Sequence, residues 1–237
     1  PMVIPEVNAD HFKIIDAQKR RLNTKKGFVA VKPNCSIQSY VPLINALMEY
    51  EPTDIIVSTY QAISGAGKTF NDWPEMVDNV IPYIGGEEEK SEIEPLKVWG
   101  KIINDEIVLN KDINISSQCI RVPVTNGHLA TIFIKFKNKP TKEEIIDKWK
   151  NYRGLPQILE LPSAPKQFIK YFNEDDMPQT RTCRDLENGM TISAGRLRED
   201  NIYDYKFVGL SHNTLRGAAG GALLTAELLY KLGYLYK

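Results

Sequence analysis

The stretch SQCIRVPVTNGHLATIFIKF, residues 117–136, constrains the fold more than any other. It predicts two strands joined at the Asn126–Gly127 dipeptide, a strong turn signal. In the second strand Ala130, Ile132, Ile134 and Phe136 alternate with polar or mixed positions, so one face must be covered. Three further strand runs join it: DIIVSTY at 54–60, and two at about 190–197 and 203–210. Between them, Thr141 and Glu144 form a capping box that opens a helix over TKEEIIDKWKNY. Long, largely antiparallel strands grouped with helices indicate an α+β fold over most of the chain.

The other elements are less regular. Residues 27–33 predict a strand (FVAV) broken by Lys32-Pro33-Asn34. Ile37, Tyr40, Val41, Ile44, Leu47 and Met48 then fall on one face of a helix over 35–49. Asn34 is a good N-cap, so Cys35 falls in the first turn, where unpaired N–H groups and the helix dipole favour a thiolate. A buried structural cysteine is the competing reading. A helix is expected around 70–80. The run GGEEEKSEIEPLKVWGKI (85–102) reads as a helix start interrupted at Pro95, and SHNTLRGAAGGALLTAELLYKLG closes the chain as a small-residue helix.

The 237 residues suit one large domain or two small ones. Thirty Lys+Arg balance thirty Asp+Glu, which argues against binding nucleic acid or an anionic membrane. Three distant cysteines form neither a disulfide framework nor a metal pair; a reducing, cytoplasmic setting follows, and no metal is expected. The longest apolar stretch, AAGGALLTAELLY, contains Glu227 and is too short to span a bilayer. The N-terminal PMVIPEVNADHF does not read as a signal peptide.

Residues 62–69 (AISGAGKT) nearly match a P-loop, with Ala62 in place of the first glycine. No apolar strand ends in an aspartate to hold magnesium, and Pro74 is a poor start for the long helix that should follow. A glycine loop that lets a phosphate-bearing ligand approach its backbone N–H groups remains. Cysteine-based acyl transfer needs a thiolate, an acid or base, and anchors for substrate charge. The histidines are His11, His128 and His212. His11 lies in a charged segment and is expected to be exposed. His128 follows the turn, where it reads either as a near-neutral acid/base or as a turn residue making one structural hydrogen bond. Arg121, in the otherwise apolar CIRVPV, requires an anionic partner. Cys119 is expected to be packed, and Cys183 has no legible place.

PNCS around Cys35, STYQAISGAG at 58–67, EExK at 87–90, RVPVTNGH at 121–128 and HNTLRGAAGG at 212–221 together resemble aspartate-β-semialdehyde dehydrogenase, in its archaeal and fungal-like branch. The likeness runs in the family's order from about Val3 to the C-terminus. It departs in one respect: the family opens with a Rossmann half carrying a glycine fingerprint, and none occurs here.

The resemblance implies a glyceraldehyde-3-phosphate-dehydrogenase-like catalytic and dimerisation domain at 35–211. It makes residues 1–34 the end of an α/β NADP-binding domain and 212–237 a C-terminal helix returning to it. It implies Cys35 as nucleophile, His128 as acid/base on the hemithioacetal oxygen and Gln61 as an orienting group. Arg121 would clamp the substrate α-carboxylate and Glu87 would take its ammonium group, although Glu88 and Glu89 are adjacent candidates. Lys90 and Asn34 would contact the leaving phosphate. Ser64, Gly65, Ala66, Gly67 and Lys68 would lie against the nicotinamide end of NADP, with Asn213 on its carboxamide. An arginine that the family uses for phosphate falls outside this sequence. The implied substrates are small molecules (aspartyl phosphate, aspartate semialdehyde and phosphate), and the implied assembly is a homodimer or homotetramer. Two alternatives stand beside this: a related acyl-CoA reductase such as a malonyl-CoA reductase, and a dimerisation module without activity of its own.

Overall fold

The computed structural model describes residues 1–235. In chain order come α1 (Ile15–Leu22), α2 (Val41–Asn45), β1 (Pro52–Gln61), α3 (Glu87–Val98), β2 (Lys101–Ile103), β3 (Glu106–Val108), β4 (Asn114–Arg121) and β5 (His128–Phe136). There follow α4 (Lys142–Asn151), α5 (Leu155–Ile158), β6 (Ile169–Tyr171), the short turns α6 (Thr180–Cys183) and α7 (Leu186–Gly189), β7 (Ile192–Glu199), β8 (Tyr205–Ser211) and α8 (Gly220–Lys231). Six strands form one mixed sheet in the order β4-β1-β5-β8-β7-β6, and β2 and β3 form a separate hairpin. Among the described residues only β1–β4 and β6–β7 pair in parallel, so the expected α+β class, with a largely antiparallel sheet, holds.

One face of the sheet is buried. Ile55, Val57, Ala130, Ile132, Ile134 and Phe207 lie in a core with Tyr40, Leu43, Ile44, Leu47 and Trp149. Alternate residues such as Ile56, Thr131 and Phe133 stay exposed or half-buried on the other face. The capping box at Thr141 forms as expected: the Glu144 N–H donates to Thr141 Oγ1 at 3.2 Å, and the Thr141 N–H to Glu144 Oε2 at 2.6 Å. A second apolar cluster joins Val3, Phe12, Ile15 and Leu161 to Met190, Leu224 and Leu228.

Several sequence expectations are corrected. β4 and β5 are not a hairpin, because β1 lies between them. The 122–127 segment instead crosses the end of β1, with Val122 N–H donating to Gln61 O and Ile63 N–H to Val124 O. Residues 27–33 form no strand; Val31 makes one isolated bridge, to Met2. Phe28 and Ala30 turn onto the second cluster, while Val29 and Val31 remain exposed.

The 35–49 helix is broken into a 3-10 turn (Ser36–Ser39), α2 and a second 3-10 turn (Met48–Tyr50). Tyr40 leaves the helical region at φ −135°, and Pro42 has no N–H with which to continue the ladder. The apolar face nonetheless matches expectation, since Ile37, Tyr40, Val41, Ile44 and Leu47 are fully buried. The 70–80 helix reduces to one 3-10 turn at Pro74–Met76.

By contrast, Pro95 does not interrupt α3, which runs on to Val98. A proline removes the donor to the carbonyl four residues back; here the Tyr40 hydroxyl donates to that carbonyl, Ser91 O, at 2.8 Å. The closing helix begins with a π-helical turn, Leu215–Ala219, before α8. His11 is buried rather than exposed, hydrogen-bonded to Asn8 Nδ2 and Gly100 O at 3.0 Å each. Cys119 and Cys183 are both buried and form no disulfide.

The N-terminal segment is tied to the C-terminal one by a fully buried ion pair. Arg216 Nη1 donates to Glu6 Oε1 at 2.7 Å and Nη2 to Oε2, with neither side chain exposed. Removing one partner leaves an uncompensated buried charge. Glu6→Gln is therefore expected to cost about 3–5 kcal/mol in urea unfolding; a loss below about 1 kcal/mol would mean the pair is replaceable.

Candidate active site

The sheet order brings three sequence-predicted residues together. β4 runs parallel to β1 with Arg121 opposite Gln61, and β5 runs antiparallel to β1 with Leu129 opposite Tyr60. The last residue of β4 (Arg121), the last of β1 (Gln61) and the first of β5 (His128) thus share one end of the sheet. Cys35 arrives there from the segment before the 3-10 turn Ser36–Ser39. Its Sγ lies 3.4 Å from His128 Nε2.

The edge strand β4 is covered by α3. Ser117 N–H donates to Glu92 Oε1 and Cys119 N–H to Glu88 Oε1, which blunts a sheet edge that would otherwise be open. That docking turns Glu87, alone of the three adjacent glutamates, toward Asn34 and Gln61. Glu87 accepts from Asn34 Nδ2 (2.8 and 2.9 Å), Gln61 Nε2 (3.2 Å) and Lys90 Nζ (3.2 Å). Glu88 is committed to β4, and Glu89 is exposed.

Residues after β1 complete the site. Ala62 N–H donates to His128 Nδ1 at 3.0 Å, and Ala62 O accepts from Arg121 Nη1 at 2.6 Å. One buried residue's backbone thus orients both the imidazole and the guanidinium. Its side chain is a methyl group, so the sequence carries no signal for this role. A Cβ built on Gly65 would sit 2.9 Å from Arg121 Nη1 and 3.1 Å from His128 Nε2. Asn213 Oδ1 accepts from Gly127 N–H and its Nδ2 donates to Ser64 Oγ, each at 2.8 Å. Ala66, Gly67 and Lys68 are exposed and lead away, with Lys68 Nζ 4.5 Å over the Trp73 ring. No long helix follows this loop, so the P-loop reading fails on geometry as well as on pattern.

Two electrostatic expectations change. Asn34 is not the N-cap: Cys35 itself holds that position without a side-chain cap, Ser36 N–H donates to Asn34 Oδ1 at 2.8 Å just ahead of it, and a four-residue 3-10 turn offers little dipole. Burial foremost, then the Glu87 charge, pushes the Cys35 thiol up; Lys32 and Arg121 pull the other way. Nor is His128 a near-neutral group. Burial, with the Arg121 charge adding to it, brings the ring down to about 3. At neutral pH it is an uncharged imidazole. Because Nδ1 accepts from Ala62, its single ring proton sits on Nε2, facing the sulfur.

Residues 41–216 match the family described as semialdehyde dehydrogenase, dimerisation domain. The aspartate-semialdehyde dehydrogenase of Aspergillus fumigatus is 40% identical over 244 residues, covering 99% of this chain and 67% of that protein. The chain belongs to the aspartate-semialdehyde dehydrogenase family. The Methanothermobacter thermautotrophicus enzyme is 39% identical over 237 residues, covering 98% of this chain and 67% of the relative. Among solved structures, the Candida albicans aspartate-semialdehyde dehydrogenase with NADP superposes at a TM-score of 0.86 and 36% identity, over 99% of this chain and 68% of that one. The chain therefore spans about two thirds of the length of the aspartate-semialdehyde dehydrogenases it matches. Among the described residues no cluster of His, Cys, Asp or Glu could hold a metal ion, and no helix is long and apolar enough to cross a membrane.

Proposed function

We propose that this chain carries the catalytic centre for NADP-dependent reductive dephosphorylation of L-aspartyl-4-phosphate to L-aspartate-4-semialdehyde, a step of lysine, methionine and threonine biosynthesis. The observation that carries the reading is Cys35 Sγ at 3.4 Å from His128 Nε2, with Arg121 and Glu87 bordering the same space. Cys35 attacks the acyl phosphate; the carbon–oxygen bond to phosphate breaks, and an aspartyl thioester remains on sulfur. Reduction of that thioester by hydride would leave a hemithioacetal on sulfur, to whose oxygen the Nε2–H of His128 donates a hydrogen bond; breaking the carbon–sulfur bond then frees the aldehyde and returns the thiolate. Gln61, tied to Glu87, orients the intermediate. Arg121 clamps the α-carboxylate in the bidentate manner of guanidinium groups, and Glu87 takes the α-ammonium group. Lys90 and Asn34 meet the departing phosphate.

The chemistry NADPH supplies when bound is hydride donation to the thioester carbon. The residues present suit a nicotinamide: Gly65 lets the loop backbone lie close against the imidazole where a Cβ would collide, and Asn213 Nδ2 keeps a second hydrogen beyond the one it gives Ser64. Ser64, Gly65, Ala66, Gly67 and Lys68 with Asn213 would hold that end of the cofactor. Gly65 also sets the space between Arg121 and His128. Gly65→Ala is expected to cost about 1–3 kcal/mol of substrate binding, as overpacking does. That is a KM rise of roughly five- to 150-fold with an unchanged melting temperature; an unchanged KM would place the substrate elsewhere.

The domain division at 34/35 and 211/212 draws support from the second apolar cluster, which gathers Val3, Phe12 and Ile15 with Leu224 and Leu228 of α8, although Leu161 and Met190 of the central segment also enter it. A homodimer, or a homotetramer built from it, fits the partly uncovered sheet face, and the free cysteines suit the cytoplasm. Single-turnover assays with aspartyl phosphate and with malonyl-CoA test the reading. Acylation of the protein by aspartyl phosphate alone is expected; acylation by the CoA ester alone would move the chain to the acyl-CoA reductases.

A further inference from the structure

A cysteine nucleophile must be aimed as well as exposed, and its aim is set by the backbone on either side of it. Helix α3 grips that backbone along one face. Glu87, Ser91 and Glu94 follow one another at helical spacing, so they share a stripe of the helix. Glu87 accepts from Asn34 Nδ2 at 2.8 and 2.9 Å. Ser91 O accepts from the Tyr40 hydroxyl at 2.8 Å. Glu94 Oε2 accepts from the Asn34 backbone N–H at 2.6 Å. The other glutamates of α3 face elsewhere: Glu88 and Glu92 bond β4, and Glu89 is exposed.

The Glu94 bond falls on the residue just ahead of the sulfur. It is short, partly buried and charge-assisted, which makes it one of the stronger bonds available to a backbone amide. Asn34 passes the constraint over Cys35 to the residue behind it, because Asn34 Oδ1 accepts from both Ser36 N–H and Ser36 Oγ at 2.8 Å. On the opposite side, a Cβ built on Gly217 would lie 2.6 Å from Cys35 Cβ, so the turn before α8 leaves the nucleophile no slack. Cys35 is thus enclosed between α3 and that turn. The Glu94 carboxylate secures the first of these walls through the backbone.

We propose that Glu94 is a positioning residue for the nucleophile: through the Asn34 N–H it holds Cys35 Sγ aligned with the acyl carbon of a substrate anchored by Arg121 and Glu87. The inference rests on Cys35 being the nucleophile of the reaction proposed above. Two reactions of the same thiol separate aim from reactivity. Acylation by aspartyl phosphate requires the sulfur to meet a substrate held at both ends. Iodoacetamide is small, is not held by the protein and can approach the sulfur from many directions. A loss confined to acylation is therefore the signature of lost aim, and a loss shared by both reactions is not.

The test measures both rates on the full chain by peptide mass mapping, with buried Cys119 and Cys183 as reporters of folding. Glu94→Ala is expected to slow acylation of Cys35 at saturating aspartyl phosphate roughly ten- to hundredfold, the scale of a small misplacement. The concentration for half-saturation and the alkylation rate should each stay within about twofold of wild type, because the substrate anchors and the thiol itself are unaltered. Glu94→Gln keeps an oxygen that can accept from Asn34 N–H and should restore acylation to within about threefold of wild type. Wild-type acylation in Glu94→Ala would overturn the assignment. So would a Glu94→Gln protein as slow as Glu94→Ala, which would make the charge and not the bond decisive, or alkylation that slows in step with acylation. If Glu94→Ala leaves Cys119 and Cys183 open to alkylation, Glu94→Asp takes its place: drawing the carboxylate back by a methylene should slow acylation with those cysteines still protected, and an unchanged rate would overturn the proposal. A wild-type protein whose Cys35 takes no acyl group would remove the underlying reaction reading, a result distinct from a wild type and a Glu94→Ala variant that acylate equally fast.

Discussion

Cys35→Ala is expected to abolish turnover of aspartyl phosphate, by roughly 10⁴-fold or more, while leaving the fold in place. Without the sulfur no thioester forms, and neither His128 nor Arg121 is a nucleophile that could replace it. The fold survives for a local reason. Alanine keeps the Cβ that packs against Gly217, and the substitution removes only the 3.4 Å approach of Sγ to His128 Nε2. Steady-state rates and a thermal melt measured side by side check both halves. Residual turnover above a few per cent would reject Cys35 as nucleophile, and a collapsed melt would make it a structural cysteine.

His128→Asn is the second large effect. The imidazole spans from the Ala62 amide to the sulfur, and its proton on Nε2 is the one aimed at the reacting atoms. A shorter amide cannot reach both. Loss of a positioned acid costs roughly 10²–10⁴-fold in kcat. KM for aspartyl phosphate should change little, because Arg121 and Glu87 hold the substrate charges. A kcat loss below tenfold, or a change confined to KM, would reduce His128 to a structural role.

Much of the site is legible in the sequence because its chemistry lies in unusual residues within local patterns. Arg121 interrupts an apolar strand, His128 follows a turn dipeptide, and Cys35 follows a residue type that caps helices; each is noticeable within a few positions. What escapes depends on distant neighbours. The Asn126–Gly127 turn reads as a hairpin because turn chemistry is local, whereas the insertion of β1 between β4 and β5 is a property of the whole sheet. Pro95 reads as a helix break because its rescuer, the Tyr40 hydroxyl, hydrogen-bonds Ser91 O across a separation of 51 residues. The apolar face at 37–47 holds although the helix itself does not, since burial follows the core and helical continuity follows Pro42 and Tyr40. Ala62 is invisible in the sequence because its contribution is entirely backbone. Its N–H donates to His128 and its carbonyl accepts from Arg121, and neither bond involves a side-chain atom of Ala62.

The ionisation of the site is not legible from residue types either. A histidine suggests a group near neutrality, yet full burial beside a guanidinium holds this one uncharged down to about pH 3. Its role therefore narrows to donating a hydrogen bond from Nε2 to the reacting oxygen rather than resting as a cation beside the thiolate.

The most direct measurement is mass spectrometry of the protein quenched in acid after mixing with L-aspartyl-4-phosphate without NADPH. One aspartyl group in thioester linkage to Cys35, removable by hydroxylamine and absent from Cys119 and Cys183, is the expected product. An unmodified Cys35, or an acyl group carried by another residue, would contradict the account.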